Sequence, residues 1–240
     1  MARRATFFNL ARKDQPKDVP LLALAGGCEF GREALGSKDA ESLKALRVSY
    51  GMLGYDLGLL TEFEFKEFGD NGLTPPEHWV HPNEVQFMRL DRGKVGIGVI
   101  LFPEIPPDAK TPPARVLADI SRILRKERGK VDLLVGMSPW GLWVEKAYLE
   151  SGADSPDLLL GSGPGVEVPG SIMAEGRTFW TRPSAKGKTV TRIDVLALPR
   201  GRASFAWAEN GNIRFESPAL TDRYIEDIDV LSALVGVDAE

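Results

Sequence analysis

Histidine and cysteine are scarce in this sequence. Its 240 residues contain two histidines, His78 and His81, and one cysteine, Cys28. A single cysteine excludes an intramolecular disulfide, and with it a disulfide-stapled scaffold. Basic excess is missing too: the formal net charge is −4, which argues against a general nucleic-acid binder. No apolar run approaches the ~20 residues of a membrane span. The first residues, Met1 to Asp14, are basic and amphipathic and lack the apolar centre of a signal peptide. As given, the expectation is a cytoplasmic chain with no membrane span and no nucleic-acid partner.

What is present is an ordinary globular balance, 43% hydrophobic and 27% charged. A chain of this length buries roughly 70% of its unfolded surface, so neither a disulfide nor a metal is needed for folding. Arg3 to Arg12 reads as a short amphipathic helix. Val19 to Ala25 is a continuous apolar run ending at Gly26-Gly27, the pattern of a strand buried on both faces. Ser37 reads as the N-cap of a helix that runs to Leu53 and is closed by Gly54. Tyr55 to Leu60 is a further short strand, followed by a polar connection from Glu64 to Pro82. Lys94 to Phe102 is a strong strand, Arg115 to Arg128 an amphipathic helix with Leu117, Ile120, Ile123 and Leu124 on one stripe. Asp132 to Met137 and Asp157 to Leu160 read as strands, with a helix from Trp143 to Glu150 between them. From Arg177 on, strands are predicted at Thr178 to Thr181, Thr189 to Leu198, Arg202 to Ala208 and Asn212 to Glu216, the last two joined at Asn210-Gly211. Thr221 to Val235 reads as a terminal helix. Alternating strands and helices call for a largely parallel α/β sheet, with a β-rich final third.

In such a sheet the ligand site lies at the carboxyl ends of the strands. Those ends are Gly26-Gly27-Cys28, Thr61-Glu62-Phe63-Glu64, Ser138-Pro139-Trp140-Gly141 and Gly161-Ser162-Gly163-Pro164-Gly165. With Ala2-Arg3-Arg4-Ala5-Thr6, Ala23 to Gly27, Gly54-Tyr55-Asp56-Leu57 and Val131-Asp132-Leu133-Leu134, they follow one another as do the segments of a known family. In order and spacing they resemble the calcineurin-like metallophosphoesterases, in the 5′-nucleotidase and UDP-sugar hydrolase branch. The resemblance implies an α/β/β/α metallophosphatase-like sandwich with mixed sheets, formed by residues 1–240 as a single domain without a further substrate-specificity domain. Members of that family are often periplasmic or extracellular.

The family holds two divalent metals that activate a water and clamp phosphate oxygens. Carried over position by position, its ligands are vacant here. The bridging aspartate position is Gly27, the metal-binding asparagine is Glu62 and the catalytic histidine is Phe63. Later histidine ligands fall on Pro139, Gly163 and Gly165, and the Asp-x-His motif would precede Ala2. Two histidines in one connection cannot supply the imidazoles by any realignment. The resemblance therefore implies a catalytically inactive relative that needs no cofactor and acts by binding an unknown protein or small molecule. The alternative is a divergent hydrolase of phosphate esters or nucleotides that uses Glu62, Glu64, Asp56 and Cys28 in the same cleft. An unrelated nucleotide-binding α/β domain is a third reading, resting on the glycine loops alone.

Each remaining candidate has a plain structural counterpart. His78 and His81, near Glu77 and Glu84, would give two ligands where zinc takes three or four. Cys28 lacks a neighbouring His or Lys that would make it a nucleophile. The Gly161 to Gly165 loop could cradle a phosphate but matches no Gly-Lys-Ser/Thr pattern. Trp140, with Trp79, Trp143, Trp180 and Phe63, could line a cleft or pack a core. Cys28, Glu64, Trp140 and Ser162 are the expected lining of a ligand cleft.

Overall fold

A computed structural model describes residues 1–31, 36–184 and 187–235. The chain begins with α1 (Ala2–Asp14), β1 (Leu24–Ala25), α2 (Ala40–Leu53) and β2 (Leu57–Leu59). Next come α3 (Glu62–Asp70), β3 (Trp79–Val80), β4 (Gln86–Arg92), β5 (Val95–Leu101) and α4 (Ala114–Glu127). They are followed by β6 (Leu133–Ser138), α5 (Leu142–Glu150), β7 (Leu158–Gly161), β8 (Val168–Met173) and β9 (Thr178–Arg182). The last elements are β10 (Arg192–Val195), β11 (Ile213–Glu216) and α6 (Ile228–Ala233). The class is the expected one, α/β with mixed sheets. The chain packs as two compact units, the first made of Met1–His81 with the segment from Ala219 on, the second of Pro82–Pro218.

The first unit holds a short parallel sheet in the order β1-β2-β3, with Leu24 opposite Leu57 and Gly58 opposite Trp79. Its strands are brief because the sequence around them leaves the extended path. The strand predicted from Val19 forms only at Leu24–Ala25, since Pro20 lacks an N–H and the Val19 N–H turns back to the Pro16 carbonyl. What holds the unit is an aromatic cluster: Phe30 lies 4.7 Å from Tyr50, 5.0 Å from Phe68 and 4.7 Å from Trp79, in tilted or edge-on pairs. Such pairs contribute about 0.5–1.5 kcal/mol each beyond area burial. Gly58 lies directly beneath the Trp79 indole, where even a methyl group would collide with the ring. Helix α2 starts at Asp39 rather than Ser37, because the Asp39 carboxylate accepts from the Ser42 N–H at 2.9 Å. Gly54 ends it in the left-handed conformation, as predicted. The polar connection from Glu64 to Pro82 in fact contains most of α3, which begins at Glu62, and all of β3.

The second unit is built on a six-stranded sheet in the order β4-β5-β6-β7-β9-β8. Strands β5, β6, β7 and β9 run parallel, and β4 and β8 pair antiparallel at the two edges. Both edge strands escaped the sequence pattern, being mostly half-exposed with little apolar contrast. Helix α4 buries Ile120, Ile123 and Leu124 in a core shared with Phe102, Trp140, Tyr148 and Trp180. The strand expected at Arg202 to Ala208 does not form; the segment is irregular, with one turn near its start. It is pinned by the Trp207 indole N–H donating to the Asp157 carbonyl at 2.7 Å, and β11 pairs with β10, Arg192 opposite Glu216. The predicted terminal helix, which belongs to the first unit, shortens to α6, capped by Asp227, which accepts from the Val230 N–H at 3.1 Å. No described helix is long and apolar enough to cross a membrane.

Candidate functional site

In the first unit the strand-end residues converge on one carboxylate. Thr61 caps α3: its hydroxyl accepts from the Glu64 N–H at 3.2 Å, and the Glu64 carboxylate accepts from the Thr61 N–H at 2.8 Å. This is a capping box, and its sequence signature is the Thr61-Glu62-Phe63-Glu64 run itself. The same carboxylate accepts from the Cys28 N–H at 3.0 Å, the Phe30 N–H at 2.7 Å and the Thr61 hydroxyl at 2.9 Å. Glu64 thus ties the loop after β1 to the start of α3. Burial pushes its pKa up to about 7, against the pull of the hydrogen bonds from Thr61, Phe30 and Cys28.

Of the other predicted positions of this unit, Cys28 joins that tie through its backbone N–H. Cys28 is half-buried, with a left-handed φ of 71°. Gly27 and Phe63 are partly buried. Glu62 is solvent-exposed, and its carboxylate lies 3.9 Å from the His81 Nε2. The His81 imidazole is buried and stacks on Phe65 at 5.2 Å. His78 faces solvent beside Glu77, 3.6 Å away. The Asp56 carboxylate accepts from the Ala23 N–H at 2.7 Å.

In the second unit the strand-end loops are joined to one another. The Gly141 N–H donates to the Ser162 carbonyl at 3.1 Å and the Leu142 N–H to the Pro164 carbonyl at 2.9 Å. Ser162 donates to the Ser138 carbonyl from both its N–H, at 2.7 Å, and its hydroxyl, at 2.9 Å. Gly163 has φ 77°, and a Cβ added there would fall on the Pro139 carbonyl oxygen. Gly165 has φ 127°, and its Cβ would lie 2.5 Å from the Leu142 Cβ. Glycine is required at both positions by the closeness of the opposing loop, not by the turn alone.

Two residues that the sequence did not single out close this end. Arg182, at the end of β9, donates to the carbonyls of Ser162 at 2.9 Å, Gly163 at 3.0 Å and Pro164 at 3.0 Å. It also donates at 2.5 Å to the Glu145 carboxylate, which takes a second bond from the Trp180 indole N–H at 3.0 Å. Glu145 has no exposed surface and Arg182 retains 3%. Burial raises the Glu145 pKa, while the Arg182 charge opposes that shift. The glycine loop therefore presents a row of acceptors to a cation, and that cation is the chain's own. Glu145 did leave a sequence signal, since it shares a helical stripe with the buried Tyr148 and Leu149. Trp140 belongs to the core: its indole N–H donates to the Pro103 carbonyl at 2.7 Å and its ring lies 4.7 Å from Phe102. Trp79 and Trp180 are likewise buried, and Trp143 is exposed.

Among the described residues, no three His, Cys, Asp or Glu side chains gather as a metal ion would require. The closed loops at the ends of parallel strands can nonetheless be placed among known architectures. The chain superposes on the NAD nucleotidase of Haemophilus influenzae with a TM-score of 0.61, over 99% of this chain and 56% of that one, at 12% identity. The fold is that of the 5′-nucleotidases. The 5′-nucleotidase of Candida albicans gives a TM-score of 0.56 at 9% identity, over 100% of this chain and 48% of the other. The chain thus spans about half the length of these structures. No protein-family model matches the sequence, and no curated protein matches it either.

Proposed function

We propose that this chain is a non-catalytic relative within the 5′-nucleotidase fold, acting by binding a protein or small-molecule partner and requiring no metal. The observation that carries the reading is the Arg182 guanidinium holding the Ser162, Gly163 and Pro164 carbonyls. Where a phosphoesterase of this fold would place imidazoles around a metal, Gly163 and Gly165 lack room for a Cβ, and the Gly163 carbonyl accepts from an internal cation. The donors at these positions do not fit a pair of divalent ions. Glu62 is one exposed carboxylate beside one imidazole, and a hard cation takes roughly six oxygen ligands.

The divergent-hydrolase alternative depends on Glu62, Glu64, Asp56 and Cys28. Glu64 has both oxygens engaged by backbone donors, and Asp56 secures the Ala23 N–H. Only the Glu62–His81 pair favours it, as an acid and a base side by side at a strand end. The deciding experiment loads the protein with Mn²⁺ or Zn²⁺, measures bound metal by elemental mass spectrometry and assays phosphate-ester hydrolysis. Less than about a tenth of an equivalent, with no turnover above buffer, supports the binding role. Metal-dependent turnover that is lost in Glu62→Ala overturns it.

A further inference from the structure

A second polar cluster in the first unit lies apart from the Glu64 tie. Arg4 on α1 and Tyr50 on α2 hold the carboxylate of Glu29, and Tyr55, before β2, accepts from Arg4. The Arg4 Nη1 donates to both Glu29 oxygens at 3.0 Å and to the Tyr55 hydroxyl at 3.0 Å. The Tyr50 hydroxyl donates to Glu29 at 2.5 Å. Arg4, Tyr50 and Tyr55 are all at least nine-tenths buried, at 6%, 3% and 8% exposure, whereas the Glu29 side chain is 24% exposed. The donors are fixed in the core, and the acceptor reaches them from the surface.

We propose that Arg4 and Tyr50, with Tyr55 holding the guanidinium in place, form a binding site for a small anion bearing a phosphate or carboxylate group, in which Glu29 is the resident, displaceable occupant. A guanidinium with a hydroxyl donor is suited to a tetrahedral or planar oxyanion, through charge-assisted bonds of about 2.5–3 Å. Both hydroxyls keep their protons at any physiological pH, since burial holds the Tyr50 hydroxyl far above its ordinary range and pushes Tyr55 up to about 12. The backbone on either side of Glu29 is already fastened, because the Cys28 and Phe30 N–H groups both donate to Glu64. Release of the site therefore needs only a side-chain rotation at Glu29 toward the solvent it already touches, not movement of the loop. Specificity is local as well. The unit carries 11 Lys and Arg against 18 Asp and Glu, so no general positive field draws anions to it, and the affinity resides in Arg4 and Tyr50.

The site is independent of the non-catalytic reading, since ligand binding here and hydrolysis at the strand ends are read by different measurements. The test uses inorganic phosphate, with chloride at matched ionic strength as control, and follows binding by calorimetry and melting temperature. Wild type should bind phosphate weakly. Glu29→Gln should bind it at least fivefold more tightly, because the competing charge is gone. The same variant should melt lower than wild type in chloride and recover in phosphate, because an unpaired buried guanidinium gains a partner. Tyr50→Phe keeps the ring in its aromatic cluster, removes one donor and should weaken binding at least fivefold. Absence of any phosphate effect on wild type and Glu29→Gln overturns the proposal, as does binding that is unchanged by Tyr50→Phe.

Discussion

The two units secure their strand ends with opposite charges. In the first, a buried carboxylate, Glu64, collects the N–H groups of Cys28, Phe30 and Thr61. In the second, a buried guanidinium, Arg182, collects the carbonyls of Ser162, Gly163 and Pro164. Loops at the carboxyl ends of parallel strands are where an α/β protein usually receives a ligand, through backbone groups left available there. Here many of those groups are taken up by the chain's own side chains. The two ties differ in one respect. Glu64 is satisfied by backbone and a hydroxyl alone, whereas Arg182 also depends on a second buried charge, Glu145.

That difference sets the size of the expected effects. Arg182→Met would leave Glu145 buried without its countercharge and take one hydrogen bond from each of three loop carbonyls, so urea denaturation should show a loss of about 3–5 kcal/mol. The double variant with Glu145→Leu should recover part of that loss, because both charges leave together. A loss below about 1 kcal/mol in the single variant would mean that the pair is incidental to the loop. Gly163→Ala places a Cβ against the Pro139 carbonyl at a positive φ. It should cost about 2–4 kcal/mol by the same measurement, and Gly163→His should be no better tolerated.

Glu64 offers a pH test of the first unit. Its folded pKa, about 7, lies above the ordinary carboxyl value of 4.5, so between these two pH values the folded state holds more protons than the unfolded state. This group's contribution is therefore fully present below about pH 4.5 and declines as pH rises through 7, by about 3 kcal/mol in all. Glu64→Gln should flatten that decline when unfolding free energies are compared from pH 4.5 to 8. A parallel slope in the two proteins would break the contrast between the units. The smallest effect belongs to Glu62→Ala. Glu62 is exposed and paired with His81 only at 3.9 Å, so the change should stay within about 0.5 kcal/mol in thermal or urea unfolding.

Where the sequence was legible, the signal was local. The apolar run of β5, the Ile120–Ile123–Leu124 stripe of α4 and the αL Gly54 follow from periodicity and from the conformational freedom of glycine. The capping box at Thr61 and Glu64 was equally present in the sequence, yet the segment reads as a strand end followed by a polar connection. Its helix is short, and Glu62, Phe65 and Lys66 leave much of its surface exposed. Edge strands β4 and β8 were missed because half-exposed residues carry little apolar contrast. The Arg182–Glu145 pairing could not be read, because its members are 37 positions apart and the stripe that marks Glu145 as buried does not name its partner.

The sequence by itself determined that the chain is α/β, that it has too few imidazoles for a histidine-rich metal centre, and that glycines stand at its strand ends. These are matters of composition and short-range pattern. Only the tertiary structure decided why those glycines are needed and what the strand ends hold. The space beside Gly163 depends on a loop some twenty residues earlier, and a charge becomes a tie only when folding removes it from water and surrounds it with backbone partners.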